Sequence, residues 1–502
     1  MGDEGSHKGV LSKRIGDRLG VGQNSTRKGV DLMNWDECKK MLELLNYKDE
    51  EMVEQRPRIE KALEHAKIGD KDIKRAQQNI AQDFDLECTR SVIGTWFKRF
   101  IDLVLCRDEH EKVVYHVHPG IPRLNLAMTY AYPDLYSDFP DTILMFTFGT
   151  MFDRVTDLLE AAEADGLEQT QAQCAINQVI YGAAVTGLMP KPDLVIAGRY
   201  QCDQSVKLCE LISQRLKVPF IAFDTVRDEP WGFFPEVADR AVEYFGEEYG
   251  DAFEESCDLL GLEPMPEETW KKARKDYVLP WILLNDIHEI YIKANPRPIK
   301  LKNHQPFQFG TLETHGKYYT EFVEALQLYL KTLRERVKSG YGVLPKDAPK
   351  IGMMCGTSWA MHDDADMYEE AGLDVVIPIG ALWVAPYERG EKRADTHYKK
   401  IAWSYLQKGY VRSTYDHAHR FKIMAEHANL DGVIYAVMFS CRVLVPACYM
   451  VKKVVEEAGT PAMVLEVDPV DPRTHTADSL RTRVEAFAEL LRARREEKMI
   501  AA

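Results

Sequence analysis

The chain has 502 residues, of which 45% are hydrophobic and 28% are charged. At roughly 100 to 200 residues per domain, this length predicts two to four domains with full hydrophobic cores and excludes a small disulfide-stapled scaffold. The formal net charge of -15 at pH 7 opposes a phosphate backbone, and no basic patch offsets it, so nucleic acid is not an expected partner.

The N-terminal 110 residues are predicted to form an arm followed by an accessory helical region. Residues 1–30 have few apolar positions, so they recover little of the entropy lost on ordering. Residues 36–85 show the spacing of charged amphipathic helices. From residue 111, short apolar runs begin to alternate with helical patterns. KVVYHV and DTILMFTFG are predicted strands, and FDRVTDLLEAAEADG is a predicted helix.

A strand-helix-strand unit then follows between Pro190 and Asp224, with DLVIAG, SVKLCELISQRL and VPFIAFD as its parts. Long helical patterns dominate until the Gly/Pro-rich stretch SGYGVLPKDAPK, after which strands and helices alternate again. We therefore predict a helical region 1–110, an α/β domain 111–230, a helical region 231–339 and a second α/β domain 340–502. The sheets should be parallel, because sequential parallel strands need a crossover that is usually a helix.

The two α/β domains contain matching segments, PDLVIAGRYQCDQSVKLCELISQRLKVPFIAFD and LDGVIYAVMFSCRVLVPACYMVKKVVEEAGTPAMVLEVD. Each has an Asp before an apolar strand, a Cys after the strand, a second Cys seven residues later, a helix, and a Pro that opens the next strand. This match predicts two related α/β domains. It also places Cys202 and Cys441 where a strand ends and a helix begins, at the edge where open α/β sheets bind ligands.

A helix N-terminus favours a thiolate, so Cys202 and Cys441 are candidate metal ligands, with Cys174 as a third. Three thiolates suit a [4Fe-4S] cluster with one iron left open to bind a substrate oxygen. The alternative is that these cysteines are small buried hydrophobic residues. A zinc site fits poorly, because no C-x2-C spacing occurs. Cys209 and Cys448, seven residues further on, are predicted core residues.

The apolar segments and the number of cysteines indicate in which cellular compartment the protein is expected. The most apolar stretch, residues 433–451, is interrupted by Arg442 and Pro446, and the N-terminal MGDEGSHKGV has no apolar export signal. Ten cysteines spread over the chain are too sparse for a disulfide framework and predict reduced thiols. We expect a soluble, cytoplasmic protein without membrane association.

Four segments carry a resemblance to a known family: QAQCAINQVIYGAAVTGL with the first unit, IGMMCGTSWAMHDDADMYEEAGLDVVI, DGVIYAVMFSC, and PAMVLEVDPVDPR with RTRVEAFAEL. From about Glu111 to its C-terminus the chain resembles the subunits of 2-hydroxyacyl-CoA dehydratases and benzoyl-CoA reductases. The resemblance implies two α/β domains facing each other across a cleft with one [4Fe-4S] cluster per chain, held by Cys174, Cys202 and Cys441. It also implies an acyl-CoA substrate, a related second subunit in a hetero-oligomer, and an ATP-hydrolysing iron-sulfur activator protein that delivers single electrons.

The resemblance leaves the reaction open. EKVV before HPG, and LEVDPVDPR near the C-terminus, favour a benzoyl-CoA reductase-type subunit that performs low-potential radical reduction of an aryl-acyl-CoA thioester. The alternatives are a 2-hydroxyacyl-CoA dehydratase subunit, which eliminates water, and a non-catalytic electron-relay partner. Arg123 and Asn125 stand where many relatives have an acidic residue, and Cys355-Gly356 stands where Glu-Gly is frequent, so roles carried by those acids are not transferred.

Further candidates flank the predicted cleft. His116 and His118 share one face of VVYHVHPG, as a proton donor or substrate-facing imidazole or, alternatively, as a structural pair. Ser358 and Trp359, in GTSWAM, follow another strand. Asp416, His417 and His419 are predicted to be solvated, and the acidic run at 362–366 to start a helix. The candidate cations for CoA phosphates are Arg199, Lys207, Arg442 and Arg473.

Overall fold

The computed structural model describes residues 33–117, 122–168, 173–199, 202–225, 236–312, 315–354, 364–378, 396–406, 413–474 and 476–501. Its elements form an N-terminal helical region, two parallel sheets covered by helices, and a helical region between the sheets. The predicted α/β fold class is therefore confirmed. The exact domain boundaries, and the expectation that the two sheets face each other across a cleft, stay predictions.

The N-terminal region contains helices α1 (Trp35–Leu44), α2 (Asp49–His65), α3 (Asp70–Asp83) and α4 (Glu87–Glu109). The helical pattern predicted for residues 36–85 is confirmed. Helix α4 is buried along most of its length, charged residues included. Its Arg99 pairs with Asp138, with Nε donating to Oδ2 at 2.9 Å. The pairing explains how such a polar sequence lies inside the molecule.

The first sheet is formed by β1 (Lys112–Val117), β2 (Leu135–Asp138), β3 (Leu194–Gly198) and β4 (Phe220–Phe223). All pairings are parallel and the spatial order is β2-β1-β3-β4. The connecting helices are α5 (Pro122–Ala131), α6 (Pro140–Leu144), α7 (Val155–Ala164), α8 (Ala175–Thr186) and α9 (Asp203–Leu216). The predicted strand KVVYHV and the first strand-helix-strand unit are confirmed.

The predicted strand DTILMFTFG is wrong. These residues form α6 and a following π-helical segment, Met145–Met151, and nearly all of them are buried. A short, continuously apolar run is compatible with a buried strand or a buried helix, and its periodicity does not distinguish them. Pro140 at the first turn favours the helix, since proline has no N–H to lose there. The strand of this region is β2, which ends just before α6.

Between the sheets lie α10 (Asp239–Leu260), α11 (Glu267–Lys293), α12 (Leu301–Leu312) and α13 (Tyr319–Ser339). The expectation of a helical region here is confirmed. Helix α12 also contacts α4 through Asn303, whose carbonyl accepts the Thr89 hydroxyl at 3.2 Å. In the parts of the chain that the structure describes, no helix is long and apolar enough to cross a membrane.

The second sheet contains β5 (Lys350–Met353), β6 (Asp374–Ile377), β7 (Gly432–Val437) and β8 (Ala462–Glu466). Its strands are parallel in the order β6-β5-β7-β8, which repeats the order of the first sheet. The accompanying helices are α14 (Asp364–Glu370), α15 (His397–Leu406), α16 (Thr414–His427), α17 (Leu444–Glu457) and α18 (Ala477–Ala501). The two sheets therefore share one topology, and the relationship between the two α/β regions stays a prediction.

Candidate functional site

The candidate site is located from the point at which the strand order of each sheet reverses. In both sheets the chain moves from the first strand to one neighbour and then crosses to the other side of that first strand. Open α/β sheets bind ligands at the carboxyl ends of the strands beside such a point. Cys202 lies between β3 and α9, and Cys441 lies between β7 and α17. The predicted positions of these two cysteines at equivalent junctions are confirmed.

All three candidate cysteines are located at the beginning of helices. Cys174 is the N-cap residue of α8 and Cys202 is the N-cap residue of α9, whereas Cys441 precedes α17 by three residues. The nearby backbone N–H of Asn177 opposes the rise in the pKa of Cys174, and the corresponding N–H groups of Ser205 and Leu444 do the same for Cys202 and Cys441. The first N–H groups of a helix have no partner within it, so a sulfur placed there is stabilised as an anion.

The Cys174 thiol interacts electrostatically with the other two candidate thiols. Burial raises the pKa of the Cys174 thiol, and negative charge on Cys202 and on Cys441 raises it further. Burial raises the pKa of Cys202 to about 12, with the Cys441 charge as the next cause. Burial also raises the pKa of Cys441. The metal-free thiols are therefore protonated at neutral pH, and a bound cationic group would favour the thiolates.

The spacing of the thiols bears on the kind of metal that they suit. Among the residues placed by the structure, no three Cys, His, Asp or Glu side chains are close enough together to hold a single metal ion. One zinc ion needs all of its ligands at a short, common distance. An iron-sulfur cluster binds its thiolates through different irons, so it needs thiols that are near one another but more widely spaced. The iron-sulfur cluster on Cys174, Cys202 and Cys441 stays a prediction.

A buried chain of hydrogen bonds connects the segments that carry the cysteines. The Asn177 side-chain Nδ2 donates to Gln173 Oε1 at 2.8 Å and to the Gln204 carbonyl at 3.1 Å. Gln204 Nε2 in turn donates to the Ser440 carbonyl at 3.0 Å. All four residues are buried. Sequence reasoning missed them, although amide side chains two or three residues after each first-domain cysteine are a detectable signal.

The two further cysteines are core residues, as predicted. Cys209 and Cys448 are buried in the same hydrophobic cluster, which contains residues of both sheets and their helices. Burial raises the pKa of both thiols. They lie within α9 and α17 rather than at the start of these helices.

His116, near the end of β1, is fully buried. The Ser137 hydroxyl donates to Asn125 Oδ1 at 2.6 Å, so it accepts from His116 Nε2 at 3.0 Å. The His116 ring also lies 5.3 Å from that of Phe139. Burial lowers the pKa of His116 to about 3, so the imidazole is neutral at physiological pH. Its catalytic role stays a prediction, and His118, Ser358 and Trp359 lie outside the described residues.

The prediction that Asp416 and His417 are solvated is wrong. Both are buried on α16, and His417 Nε2 lies 2.9 Å from the Tyr435 hydroxyl on β7. Burial, followed by the charge of Arg420, lowers the pKa of His417 to about 3. The local pattern looked polar, but packing of α16 on the second sheet brings these groups into the interior. At 362–366, by contrast, α14 begins at Asp364, as expected for a helix start.

The four cations considered for CoA phosphates all pair with carboxylates of this chain. Arg199 lies 3.3 Å from Asp224, Lys207 lies 2.9 Å from Glu210, and Arg442 lies 3.0 Å from Asp203. Arg473 contacts two carboxylates, Asp471 and Glu163. Except at Arg473 these pairs are largely exposed and weak, so an anionic ligand could replace the carboxylate. The pairs therefore do not select one phosphate-binding residue.

Over most of its length the chain is similar to known proteins. A family model described as 2-hydroxyglutaryl-CoA dehydratase, D-component, matches residues 137–491. The (R)-2-hydroxyisocaproyl-CoA dehydratase alpha subunit of Clostridioides difficile is 22% identical over 351 residues, which cover 68% of this chain and 82% of the relative. The lactoyl-CoA dehydratase subunit alpha of Anaerotignum propionicum is 21% identical, with coverages of 67% and 82%. A benzoyl-CoA reductase subunit of Thauera aromatica is 20% identical, with coverages of 61% and 72%.

Proposed function

The chain belongs to the 2-hydroxyglutaryl-CoA dehydratase, D-component, family, and from this premise we propose that it is an iron-sulfur subunit of an enzyme that acts on acyl-CoA thioesters by single-electron chemistry. The observation that carries the proposal is the convergence of Cys174, Cys202 and Cys441 at helix N-termini. Three coupled thiols at helix starts, two of them at equivalent junctions of the two sheets, are difficult to explain as ordinary core packing.

Cys174, Cys202 and Cys441 would hold one [4Fe-4S] cluster. Bound there, the cluster would supply single electrons at low potential and, at the iron without a thiolate, a Lewis acid for a substrate oxygen. The protein's contribution is to hold the thiolates. Backbone N–H groups of Asn177 and Ser205 stabilise their negative charge, and the burial of Cys174 keeps water away from one side of the site.

The reaction is proposed to be the elimination of water from a 2-hydroxyacyl-CoA. The matching family is named for a dehydratase component, and the relatives from Clostridioides difficile and Anaerotignum propionicum are named as alpha subunits of acyl-CoA dehydratases. These relatives do not favour the reductase that the sequence features indicated over the dehydratase. The reductive alternative is retained because of the match to a benzoyl-CoA reductase subunit. In the first case the electron returns after water leaves, whereas in the second it stays in the product.

The partners follow from the same proposal. Each of these relatives is named as a single subunit of a dehydratase or a reductase, so this chain is proposed to work with a related second subunit. A separate ATP-hydrolysing iron-sulfur activator is proposed to deliver the electrons. His116, His118, Ser358 and Trp359 are proposed to border the acyl group, with His116 acting as a neutral imidazole.

The test combines metal content with the use of reductant. The chain, purified anaerobically with its partner subunit, should be brown and contain about four irons per chain, as expected for one cluster. It is then incubated with activator, ATP, dithionite and either a 2-hydroxyacyl-CoA or benzoyl-CoA. Turnover with catalytic reductant supports the dehydratase, whereas stoichiometric consumption of reductant with substrate supports the reductase. Absence of iron, or failure to bind either CoA ester, would overturn the proposal for this subunit.

A further inference from the structure

The hydrogen bonds around the three cysteines include a connection between the two sheets. Gln204 lies in the first turn of α9, after β3, and its Nε2 donates to the carbonyl of Ser440, after β7, at 3.0 Å. Both residues are almost completely buried. Ser440 immediately precedes Cys441, and Gln204 follows Cys202 by two residues. The bond therefore ties together the two segments that carry these cysteines.

Gln204 takes part in the site through two of its polar groups. Its carbonyl accepts from Asn177 Nδ2 at 3.1 Å, and its side-chain Nε2 donates to the Ser440 carbonyl. Asn177, three residues after Cys174, is used in a similar way. Both hydrogens of its Nδ2 are engaged, one by Gln204 and one by Gln173 at 2.8 Å. A continuous path thus runs through the segments of all three cysteines.

We infer that Gln204 and Asn177 are positioning residues that set the relative placement of the Cys174, Cys202 and Cys441 segments. A cluster tolerates little variation in the positions of its ligands, and residues that orient ligands strongly affect metal affinity. The inference rests on the proposed function only where it concerns the cluster. The geometric statement, that the Gln204 side chain holds the Ser440–Cys441 segment, concerns this chain alone.

The energetic argument comes from burial. The Ser440 carbonyl and the Gln204 amide are both withdrawn from water, so loss of the bond leaves a buried polar group without its partner. The segment can recover water only by opening locally. Since Cys441 is next to Ser440, such an opening exposes its thiol. Thiol accessibility in the metal-free chain therefore measures whether Gln204 holds this segment.

The experiment compares Gln204→Met with a matched control, Gln178→Met. Methionine has a similar length and volume but no donor. Gln178 is also buried and donates to a backbone carbonyl, that of Leu167, at 2.9 Å, but its side-chain bond does not reach the Ser440–Cys441 segment. The full chain is stripped of metal with a chelator and treated with iodoacetamide, and the alkylation of each cysteine is followed by peptide mass spectrometry.

Gln204→Met should raise the alkylation rate of Cys441 about fivefold to tenfold, the factor expected for loss of one buried hydrogen bond. Gln178→Met should leave that rate at the wild-type value. Equal Cys441 rates in wild type and Gln204→Met would overturn the inference. If Gln204→Met does not fold by circular dichroism, Gln204→Asn replaces it, because its amide is one methylene too short to reach Ser440.

The iron-loaded chain gives a second readout. The EPR g values and the midpoint potential should shift in Gln204→Met but not in Gln178→Met, because only the former changes how the thiolates are held. If the wild-type chain binds no iron, the proposed function fails while the alkylation result still decides the positioning role. If the wild type binds iron and both variants match it in rate, spectrum and potential, the positioning role fails and the proposed function stands.

Discussion

The first and second sheets repeat one plan, and they differ at one helix cap. In each sheet, one helix precedes the third strand and another follows it: α8 and α9 in the first sheet, α16 and α17 in the second. Cysteines lie at three of these four starts. The fourth, at α16, has Ser413, whose hydroxyl accepts the backbone N–H of Asp416 at 3.1 Å.

The spacing is the same in all four places. Cys174 faces the N–H of Asn177, Cys202 that of Ser205, and Cys441 that of Leu444, each three residues later, as Ser413 faces that of Asp416. Each sulfur or oxygen therefore lies three residues before a backbone N–H at a helix start, which is the spacing of an N-cap acceptor. A structural capping position thus becomes a candidate ligand position when sulfur replaces oxygen, and this related pair of domains offers three thiols rather than four.

The strongest change should separate the cap cysteines from the core cysteines. Cys202→Ala and Cys441→Ala should each abolish the iron-sulfur cluster, because two thiolates do not hold it, as measured by iron and sulfide analysis and by EPR. Cys209→Ala and Cys448→Ala, changed at matching core positions of the two sheets, should retain it. The ligand assignment is wrong if either core cysteine proves necessary and Cys174 proves dispensable.

The next effect concerns buried arginines, one beside each sheet. Arg99 pairs with Asp138 at the end of β2, and Arg297 lies 2.8 Å from Glu369 and 3.1 Å from Asp374 at the start of β6. Arg99→Met or Arg297→Met leaves a buried carboxylate unpaired and should lower the free energy of unfolding by about 3 to 5 kcal/mol in urea titrations.

The control for the buried arginines is Lys453→Met, which removes an exposed pair with Glu457 on α17. Its urea midpoint should equal that of the wild type. Equal midpoints for the control and the arginine variants would show that the buried pairs contribute no more than surface ones.

Two buried imidazoles, one in each half, should make the chain sensitive to acid. Burial lowers the pKa of both His116 and His417 to about 3 from an ordinary 6.5. The fold therefore holds them neutral, and the stability they contribute is complete above pH 6.5 and is lost as the pH falls toward 3. Each should reduce the free energy of unfolding by about 1.4 kcal/mol per pH unit below 6.5.

The measurement is a series of urea titrations between pH 7 and pH 5. His116→Gln keeps a donor for Ser137 but has no titrating group, so its stability should depend less steeply on pH than that of the wild type. His417→Gln should show the same change for the second sheet. Slopes identical to that of the wild type in both variants would exclude these imidazoles as the origin of the acid sensitivity.

The smallest change tests the exceptional cap. Ser413→Ala removes the acceptor for the Asp416 N–H and should cost about 1 kcal/mol of stability, the usual value for an N-cap. Iron content should be unchanged, since no thiol is lost. Ser413→Asp, which keeps a capping oxygen, should retain the wild-type stability. Loss of iron in Ser413→Ala would mean that this fourth helix start belongs to the site after all.

Much of the fold and part of the site could be predicted from local pattern. The two strand-helix-strand units, the related domains and the positions of Cys202 and Cys441 follow from hydrophobic spacing and from matched segments. Core placement of Cys209 and Cys448 follows from helical periodicity, which puts them two turns below the helix start. These features depend on neighbours in the chain, so the order of residues is enough to predict them.

Other features depend on partners far along the chain. DTILMFTFG is helical because it packs on every side, and the charged residues of α4 are buried because Arg99 meets Asp138. Asp416 and His417 lie inside because α16 packs on the second sheet. A residue pattern indicates which side chains a segment can bury. It does not indicate which distant group will pair with the buried polar atoms of that segment.

The Gln204–Ser440 bond shows this limit most clearly, because it joins residues 236 positions apart. The residue order alone is enough to place both of them beside candidate ligands. It does not reveal that a side-chain amide of one domain meets a backbone carbonyl of the other. Hydrogen-bond pairing requires an atom-to-atom approach of about 3 Å, and only the packing of two folded domains brings such distant residues that close.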